Sequence, residues 1–287
     1  MYKIGIVIVH YKTVKDTLAC ITSLFQNVRG ILKSSVTVVF NEENIDDSFF
    51  YLKEKLKNYD NVFLIETHKN LGYARGCNEG IEFLRNKKKC DFVIAMNNDI
   101  LVRQQDLISC LQVLYEKYHY AIAGPAILNL NGDITPNYPE KNYDVFRLRV
   151  GQIAIGMRYI ASFLHADLLI SCALSLRHRG NVKQKYVNKD IIDIPLHGCF
   201  LIFSPEYFKQ YDGFCEDTFL YLEEDILFIR CQKKSLRTVY SPILQITHIG
   251  SSATDQKEET VVQKRRNKYK ALLSSTNVLI HEIKNNK

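Results

Sequence analysis

The stretch DFVIAMNNDI, residues 91–100, contains an apolar run that ends in three polar residues, Asn97, Asn98 and Asp99. The run has the length and the branched and aromatic content of a buried strand, and apolar residues resume directly after the triplet. Two interpretations are open. The triplet is either a strand-end turn held by its own side chains, or the place where a strand presents Asp99 to a divalent cation that bridges a diphosphate.

Four strand-like runs, including this one, are each followed by an amphipathic helical segment after a short connection. The predicted strands are 3–11, 35–40, 61–67 and 91–97, and the predicted helices are 13–27, 46–59, 74–88 and 104–118. Alternation of this kind predicts an α/β fold, in which a parallel sheet has helices on both faces.

Polar residues follow the first two predicted strands as well. His10 and Tyr11 end the first strand, and Asn41, Glu42 and Glu43 come directly after the second. Ligands of parallel sheets bind beyond the carboxyl ends of the strands. We therefore expect these residues at the same edge of the sheet as the Asn-Asn-Asp triplet.

The second half of the chain is less regular. It is predicted to contain a strand over 121–129, one or two helices over about 145–180, a strand and short helix over 194–208, a helix from near Glu223, and strand, turn and polar loop over 237–254. We expect one domain over 1–254, divided into halves at residue 130, and a basic helix over 255–287.

Composition limits the class of protein. The chain has 287 residues, of which 46% are hydrophobic and 24% charged, as in globular domains. Its net charge of +7 favours an anionic partner, such as a nucleotide, a nucleic acid or anionic lipid. Eight cysteines without a CxxC pair predict reduced thiols. Without a signal peptide or a long apolar run, a cytoplasmic location is expected.

The segment HKNLGYARGCNEGI, residues 68–81, has Gly72, Gly76 and Gly80 at a spacing of four. It fits neither common phosphate-loop pattern. The spacing predicts glycines on one helix face, which would let the helix pack closely on the sheet. Arg75 would then be free to meet a phosphate.

Three consecutive acids, Glu223, Glu224 and Asp225, lie in the apolar segment FLYLEEDILFIR. They are either a charged helix N-terminus or a general base, because desolvation and mutual repulsion raise the pKa of a carboxylate. His248 follows an apolar strand further along the chain. It is either structural or an imidazole ligand of the same cation as Asp99.

Together these segments resemble the inverting family 2 glycosyltransferases of the bacterial polysaccharide and rhamnosyltransferase-like kind. The resemblance covers about residues 3–130 and 190–254, with NND in the place of the DxD metal motif and FLYLEED in the place of the Glu-Asp base motif. It implies a GT-A fold, a Rossmann-like and mostly parallel sheet flanked by helices. It also implies sugar transfer from a nucleotide diphosphate-sugar, with inversion at the anomeric carbon.

The resemblance assigns roles to individual residues. Asp99 would bind Mg²⁺ or Mn²⁺ with His248 as a further ligand, and Glu224 would be the base, with Asp225 as second candidate. Donor-binding residues would be His10, Tyr11, Asn41, Glu42, Asn70, Gly72, Arg75, Asn97 and Asn98, and acceptor-side residues would be His197, Gly198 and Glu223.

Two positions depart from the family pattern. Phe40-Asn41 stands where the family often has Asp-Asn, so nucleobase contact falls to Asn41, Glu42 or Glu43. Asn97 stands where the metal motif often begins with Asp.

Partners follow from these assignments. The expected partners are a UDP- or dTDP-sugar and a glycan or lipid-linked acceptor, and a homodimer is left open. The basic segments 144–170 and 261–287 are either packed on the core or attached to anionic lipid at the inner membrane face, with the C-terminal helix as the expected contact.

Three other functions remain as alternatives. These are an inactive nucleotide-sugar-binding relative, a nucleotidyltransferase and a nucleic-acid-binding protein. HYKTVKDT lacks the glycines that a nucleotidyltransferase loop needs. The acids at the predicted site argue against nucleic acid.

Overall fold

The computed structural model describes residues 2–134, 143–164, 166, 188–250 and 260–285. Nine strands in these residues form one mixed sheet, in the order β3-β2-β1-β4-β8-β6-β9-β5, with β7 also paired to β9. The strands are β1 Ile4–His10, β2 Ser35–Phe40, β3 Val62–Glu66, β4 Phe92–Asn97, β5 Ile100–Leu101, β6 Ile122–Leu128, β7 Ile191–Ile192, β8 Phe200–Phe203 and β9 Thr238–His248. The helices are α1 Val14–Asn27, α2 Asp47–Leu56, α3 Tyr73–Glu82, α4 Leu107–Tyr118, α5 Val145–Ser162, α6 Pro205–Phe208, α7 Glu223–Lys233 and α8 Val261–Lys284.

Strand β1 separates two apolar cores. Its residues Ile4, Ile6 and Ile8 pack against α1, α2 and α4, whereas Val7 and Val9 pack against α3 on the opposite face. Strands β3, β2, β1 and β4 are all parallel. The prediction of a parallel sheet wound with helices on both faces is therefore confirmed for the first half of the chain.

The chain leaves the parallel strands at the Asn-Asn-Asp triplet. Ile100 and Leu101 form the short strand β5, which runs antiparallel to the end of β9 and places Ile100 opposite His248. The backbone N–H of Ile249 also donates to the carbonyl of Asp99 at 3.0 Å. The apolar residues after the triplet are thus a second strand, which the sequence did not predict.

Strand β9 is continuous where a turn was expected. It pairs with β6 along its length, but the register shifts between Pro125 and Ala126, whose partners are Ser241 and Gln245. The expected turn is therefore an irregularity inside the strand. Strand β8 begins at Phe200, later than the predicted 194, and the predicted segments 135–142, 167–187 and 251–259 lie outside the described residues.

The last helix is packed into the fold. Leu279 and Ile280 of α8 are buried. Glu282 of α8 accepts from Arg230 at 2.9 Å and from Lys233 at 2.7 Å, both on α7. Among the described residues, no helix combines the length and the apolar content needed to cross a membrane. The seven cysteines in the described residues are free thiols.

The glycines of α3 allow its close approach to the sheet, as predicted. A Cβ on Gly80 would lie 2.6 Å from Cγ1 of Val7, and one on Gly76 would lie 3.3 Å from Cγ1 of Val9. Gly72 has a different role, because it precedes α3 with φ +80° and a Cβ there would lie 2.2 Å from the carbonyl oxygen of Phe219. Gly72 therefore lets the start of α3 touch the segment before α7.

Gly72→Ala tests this contact, and Gly132→Ala is a control for the positive φ. Both glycines have positive φ, but a Cβ on Gly132 would meet nothing within 4 Å. We expect Gly132→Ala to cost about 1–2 kcal/mol of unfolding free energy from backbone strain alone. Gly72→Ala should cost about 1–3 kcal/mol more, because the added methyl must displace backbone and because ψ of −179° puts Gly72 in a conformation that is essentially restricted to glycine. Equal losses for the two variants in urea unfolding would contradict the contact.

Candidate active site

Asp99 and His248 meet where β5 pairs with β9. Oδ2 of Asp99 lies 3.1 Å from Nε2 of His248, and the two side chains are 10% and 26% exposed. Oδ1 of Asp99 is buried without a hydrogen-bond partner. A buried carboxylate oxygen without a partner is costly, and a bound cation would remove that cost.

The donor atoms of this pair fit a divalent cation. Carboxylate oxygen suits Mg²⁺ and Mn²⁺, and imidazole nitrogen is a common additional ligand. Within the part of the chain that the structure describes, no group of three or more His, Cys, Asp or Glu residues is arranged to hold a metal. A cation held by Asp99 and His248 would therefore complete its coordination with oxygens from a ligand or water.

Asn98 points away from this pair, toward the start of α1. Its Nδ2 donates to the hydroxyl of Thr13 at 2.8 Å and to that of Thr17 at 3.0 Å. Nδ1 of His10 lies 2.7 Å from the same Thr17 hydroxyl. These bonds fix the ends of β1 and β4 to α1, while Asn97 stays half-buried at the end of β4. The predicted roles of Asn97, Asn98 and His10 in donor binding remain predictions.

Glu42 supports the turn after β1. Its Oε1 accepts from the backbone N–H of Lys12 at 2.6 Å and lies 3.4 Å from Nε2 of the fully buried His10. Phe40 stacks on the His10 ring, with the ring centroids 5.0 Å apart. Phe40 is itself buried, so it cannot take over a nucleobase contact. Tyr11 is half-buried beside this cluster.

Asn41 organises the glycine-rich loop. Its Oδ1 accepts from the N–H of Leu71 at 2.9 Å, and its Nδ2 donates to the carbonyl of Gly72 at 3.0 Å. Oδ1 of Asn70 accepts from the N–H of Gly72 at 2.9 Å. Asn41, Asn70 and Gly72 are therefore brought together. Their side-chain bonds hold the loop itself, and a direct contact with the donor stays a prediction.

The start of α3 is tied to the segment before α7. The N–H of Tyr73 donates to the carbonyl of Phe219 at 2.9 Å, and Nε of Arg75 donates to the carbonyl of Glu216 at 2.7 Å. The expectation that Arg75 is free is wrong at Nε. Its role as a phosphate ligand stays a prediction.

Residues His197 and Gly198 lie between the Asp99–His248 pair and the acids of α7. The ring centroid of His197 is 6.0 Å from that of His248. A Cβ on Gly198 would lie 3.3 Å from Oε2 of Glu224, so the carboxylate lies directly over this glycine. The carbonyl of Gly198 accepts from the hydroxyl of Tyr73 at 3.1 Å. The segment thus connects the Asp99–His248 pair to Glu224.

Asp225 has a different environment from Glu224. It is buried, and its Oδ1 accepts from the hydroxyl of Tyr143 at 2.6 Å. Burial, and next the charge of Asp225, raise the pKa of Tyr143, so its hydroxyl remains a donor. Tyr221 and Leu222, just before α7, both have positive φ, at 73° and 67°. Such backbone conformations are costly for non-glycine residues and occur often at functional sites.

Glu223 is the buried member of the three acids. It is 6% exposed, and its Oε1 has no hydrogen-bond partner. Burial, with a smaller contribution from the charges of Glu224 and Asp225, raises the pKa of Glu223 to about 7. The carboxyl group therefore changes its protonation state near neutral pH.

Three residues of the site were not predicted from the sequence. Tyr143 comes from the irregular segment before α5, Tyr73 from the glycine-rich segment, and Thr17 from inside α1. No local pattern marks any of them, because each acts through a partner that is distant along the chain. Tyr143 and Asp225, for example, are separated by 82 residues.

The sheet, its helices and the polar edge define a GT-A-type α/β protein. The family model described as Glycosyl transferase family 2 matches residues 5–208, which is more than half of the chain. The chain belongs to this family.

One curated relative is the low-salt glycan biosynthesis hexosyltransferase Agl10 of Haloferax volcanii. It is 22% identical over 245 residues, which cover 85% of this chain and 66% of Agl10. The chain therefore spans slightly less than two thirds of that relative.

Solved structures share the fold. GalNAc-T7 with UDP, GalNAc and Mn²⁺ matches with a TM-score of 0.60 and 13% identity, over 88% of this chain and 46% of that one. TarS 1–349 of S. aureus in complex with UDP matches with a TM-score of 0.54 and 14% identity, over 99% of this chain and 71% of that one. The GT-A fold expected from the sequence is confirmed.

The raised pKa of Glu223 predicts a pH-dependent stability. A carboxyl whose pKa is higher in the folded state stabilises the fold at low pH, and that contribution is lost as pH rises from about 4.5 through about 7. Glu223→Gln should therefore gain stability relative to wild type between about pH 5 and pH 8, by at most about 3 kcal/mol. Urea unfolding of both proteins across this range measures the difference. If the unfolding free energies of the two proteins change in parallel with pH, the raised pKa of the buried Glu223 is contradicted.

Proposed function

We propose that this protein is a divalent-metal-dependent, inverting glycosyltransferase. It moves a hexosyl or deoxyhexosyl group, such as rhamnosyl, from a UDP- or dTDP-sugar to a hydroxyl of a growing glycan or lipid-linked acceptor. The product belongs to a cell-surface polysaccharide such as capsule or O-antigen, and the enzyme works at the inner face of the cytoplasmic membrane. Residues 1–130 hold the donor, and residues 131–254 receive the acceptor.

The observation that carries the proposal is the Asp99–His248 pair, with its buried and unpartnered Oδ1. Glu224 lies next to the same region, over Gly198. When a hydroxyl displaces a diphosphate, the reaction requires a cation for the leaving group and a base for the hydroxyl. The proposed cation site and the proposed base lie on either side of one short segment. The relative Agl10 supports a hexosyl group, and the UDP and Mn²⁺ of GalNAc-T7 support the nucleotide and the cation.

The residues divide the chemistry as follows. Asp99 and His248 would hold the cation, whose chemistry when bound would be to neutralise charge on the departing diphosphate. Glu224 takes the proton of the acceptor hydroxyl as that oxygen bonds to the anomeric carbon. The bond from this carbon to the diphosphate oxygen breaks on the opposite face, so the configuration inverts.

Glu224 is the better candidate for the base than Asp225. The Asp225 carboxylate is buried, and its Oδ1 is already engaged by the short hydrogen bond from Tyr143. Glu224 is half-buried and faces Gly198, which lies next to the Asp99–His248 pair. Asp225 and Tyr143 therefore position the start of α7, and Glu224 meets the acceptor.

A thermal-shift panel tests the donor site. UDP, dTDP and GDP are each added with and without Mn²⁺ to wild type, Asp99→Asn and the control Asp60→Asn, whose carboxylate is exposed. One nucleotide with Mn²⁺ should raise the melting temperature of wild type and Asp60→Asn by about 5 °C, because it binds only the native state. Asp99→Asn should lose this shift.

Two outcomes of the panel would contradict the donor site. An equal shift in Asp99→Asn would exclude Asp99 as a ligand of the cation. If no nucleotide shifts the melting temperature of wild type, the proposed donor-binding site is contradicted.

Glu224→Gln and Asp225→Asn separate the two acids. Loss of a general base lowers turnover by about 10²–10⁴-fold, which we expect for Glu224→Gln with nucleotide binding unchanged. Asp225→Asn keeps an acceptor for Tyr143 and should cost about tenfold or less. The assay follows release of nucleoside diphosphate from the sugar nucleotide that the panel selects. A larger loss for Asp225→Asn than for Glu224→Gln would reverse the assignment.

A further inference from the structure

Helix α5 carries an apolar stripe that faces solvent. The stripe is Phe146, Val150, Ile153, Met157, Ile160 and Leu164, and each of these side chains is at least half exposed. The intervals of three and four residues put the first five on one face of the helix, and Leu164 follows in the turn after its end. At 1.5 Å per residue the five helical positions span about 21 Å. Singly exposed apolar residues are normal, but a continuous row of this length marks a binding surface.

The opposite face of α5 is the one that packs on the protein. Gln152 donates to the carbonyl of Leu273 at 3.1 Å, and Arg266 donates to the carbonyl of Ser162 at 2.9 Å. Leu148 packs against the cluster formed with α7 and α8. Contacts with the fold therefore use one face of α5 and leave the stripe for another partner.

The charges along and beside the stripe are mostly positive, and the exposed Asp144 at the N-cap of α5 is the acid nearest to it in sequence. Residues 145–164 contain three basic residues and no acid, and residues 261–270, at the start of α8, contain five basic residues and no acid. The bond between Arg266 and Ser162 places the start of α8 beside the end of α5. Arg147, Lys268 and Lys270 are exposed. These eight charges exceed the net charge of +7 of the whole chain.

We propose that the stripe of α5 docks on the surface of an anionic lipid bilayer. An amphipathic helix with an apolar face and basic flanks lies in the headgroup region, and anionic lipid adds attraction to the basic residues. This surface differs from the one expected from the sequence, because the apolar residues Leu279 and Ile280 of α8 are buried in the fold.

The position of α5 gives the docking a consequence for the site. Tyr143, two residues before α5, donates to Asp225 next to Glu224. A bilayer against the stripe would therefore lie on the acceptor side of the site. This part of the inference rests on the proposed function, and it favours an acceptor whose lipid end stays in the membrane.

Vesicle flotation tests the surface. Wild type is mixed with vesicles of phosphatidylcholine alone, or of phosphatidylcholine and phosphatidylglycerol in equal parts. Two variants accompany it: Ile153→Asp with Ile160→Asp, and the control Leu32→Asp with Val113→Asp, whose residues are exposed on other elements. Circular dichroism establishes that each variant is folded.

Wild type and the control variant Leu32→Asp with Val113→Asp should float with the anionic vesicles. The affinity of the stripe variant for these vesicles should be lower by about tenfold or more. Arg147→Gln with Lys270→Gln should weaken binding to anionic vesicles only. Equal flotation of the stripe variant and wild type would overturn the proposal. A second result would also overturn it: light scattering shows a dimer for wild type and a monomer for the stripe variant, and neither protein floats. The stripe would then join two copies of the chain.

The nucleotide panel keeps this test separate from the proposed function. If flotation depends on the stripe but no nucleotide binds, the membrane-docking proposal is supported and the proposed glycosyltransferase function is contradicted. If a nucleotide binds but the protein does not float, the proposed function is supported and the membrane-docking proposal is contradicted.

Discussion

The pairing of β5 with β9 is the constraint on which the site depends. Two residues of β5, Ile100 and Leu101, attach the end of β4 to the end of β9. This pairing brings together Asp99 and His248, which are 149 residues apart in the chain. The cost of burying Asp99 Oδ1 without a partner is tolerated because the surrounding strands fix the carboxylate in place.

A second set of contacts links the first half of the chain to the second. The turn at Gly72 reaches the carbonyl of Phe219, and Tyr73 reaches Gly198, so the start of α3 is joined to both segments that flank Glu224. The left-handed backbone of Tyr221 and Leu222 directs the chain into α7. The position of Glu224, the proposed base, therefore depends on the glycine-rich segment as well as on its own helix.

Much of the first half could be predicted because its signals are local. Asp46 caps α2 through its own side chain, which is a local signal, whereas Thr13 precedes α1 without a side-chain cap bond and its hydroxyl accepts from Asn98. Strand β5 has only two residues and no pattern of its own. The acid cluster could be found, but the separate environments of Glu223, Glu224 and Asp225 depend on distant partners such as Tyr143.

The central claim is that Asp99 and His248 bind one divalent cation together with a nucleoside diphosphate. Electron spin echo spectroscopy of Mn²⁺ bound to the protein in the presence of UDP tests it directly. The account predicts modulation from one imidazole nitrogen in wild type and its loss in His248→Ala. Protein-bound Mn²⁺ without any nitrogen modulation in wild type would contradict it.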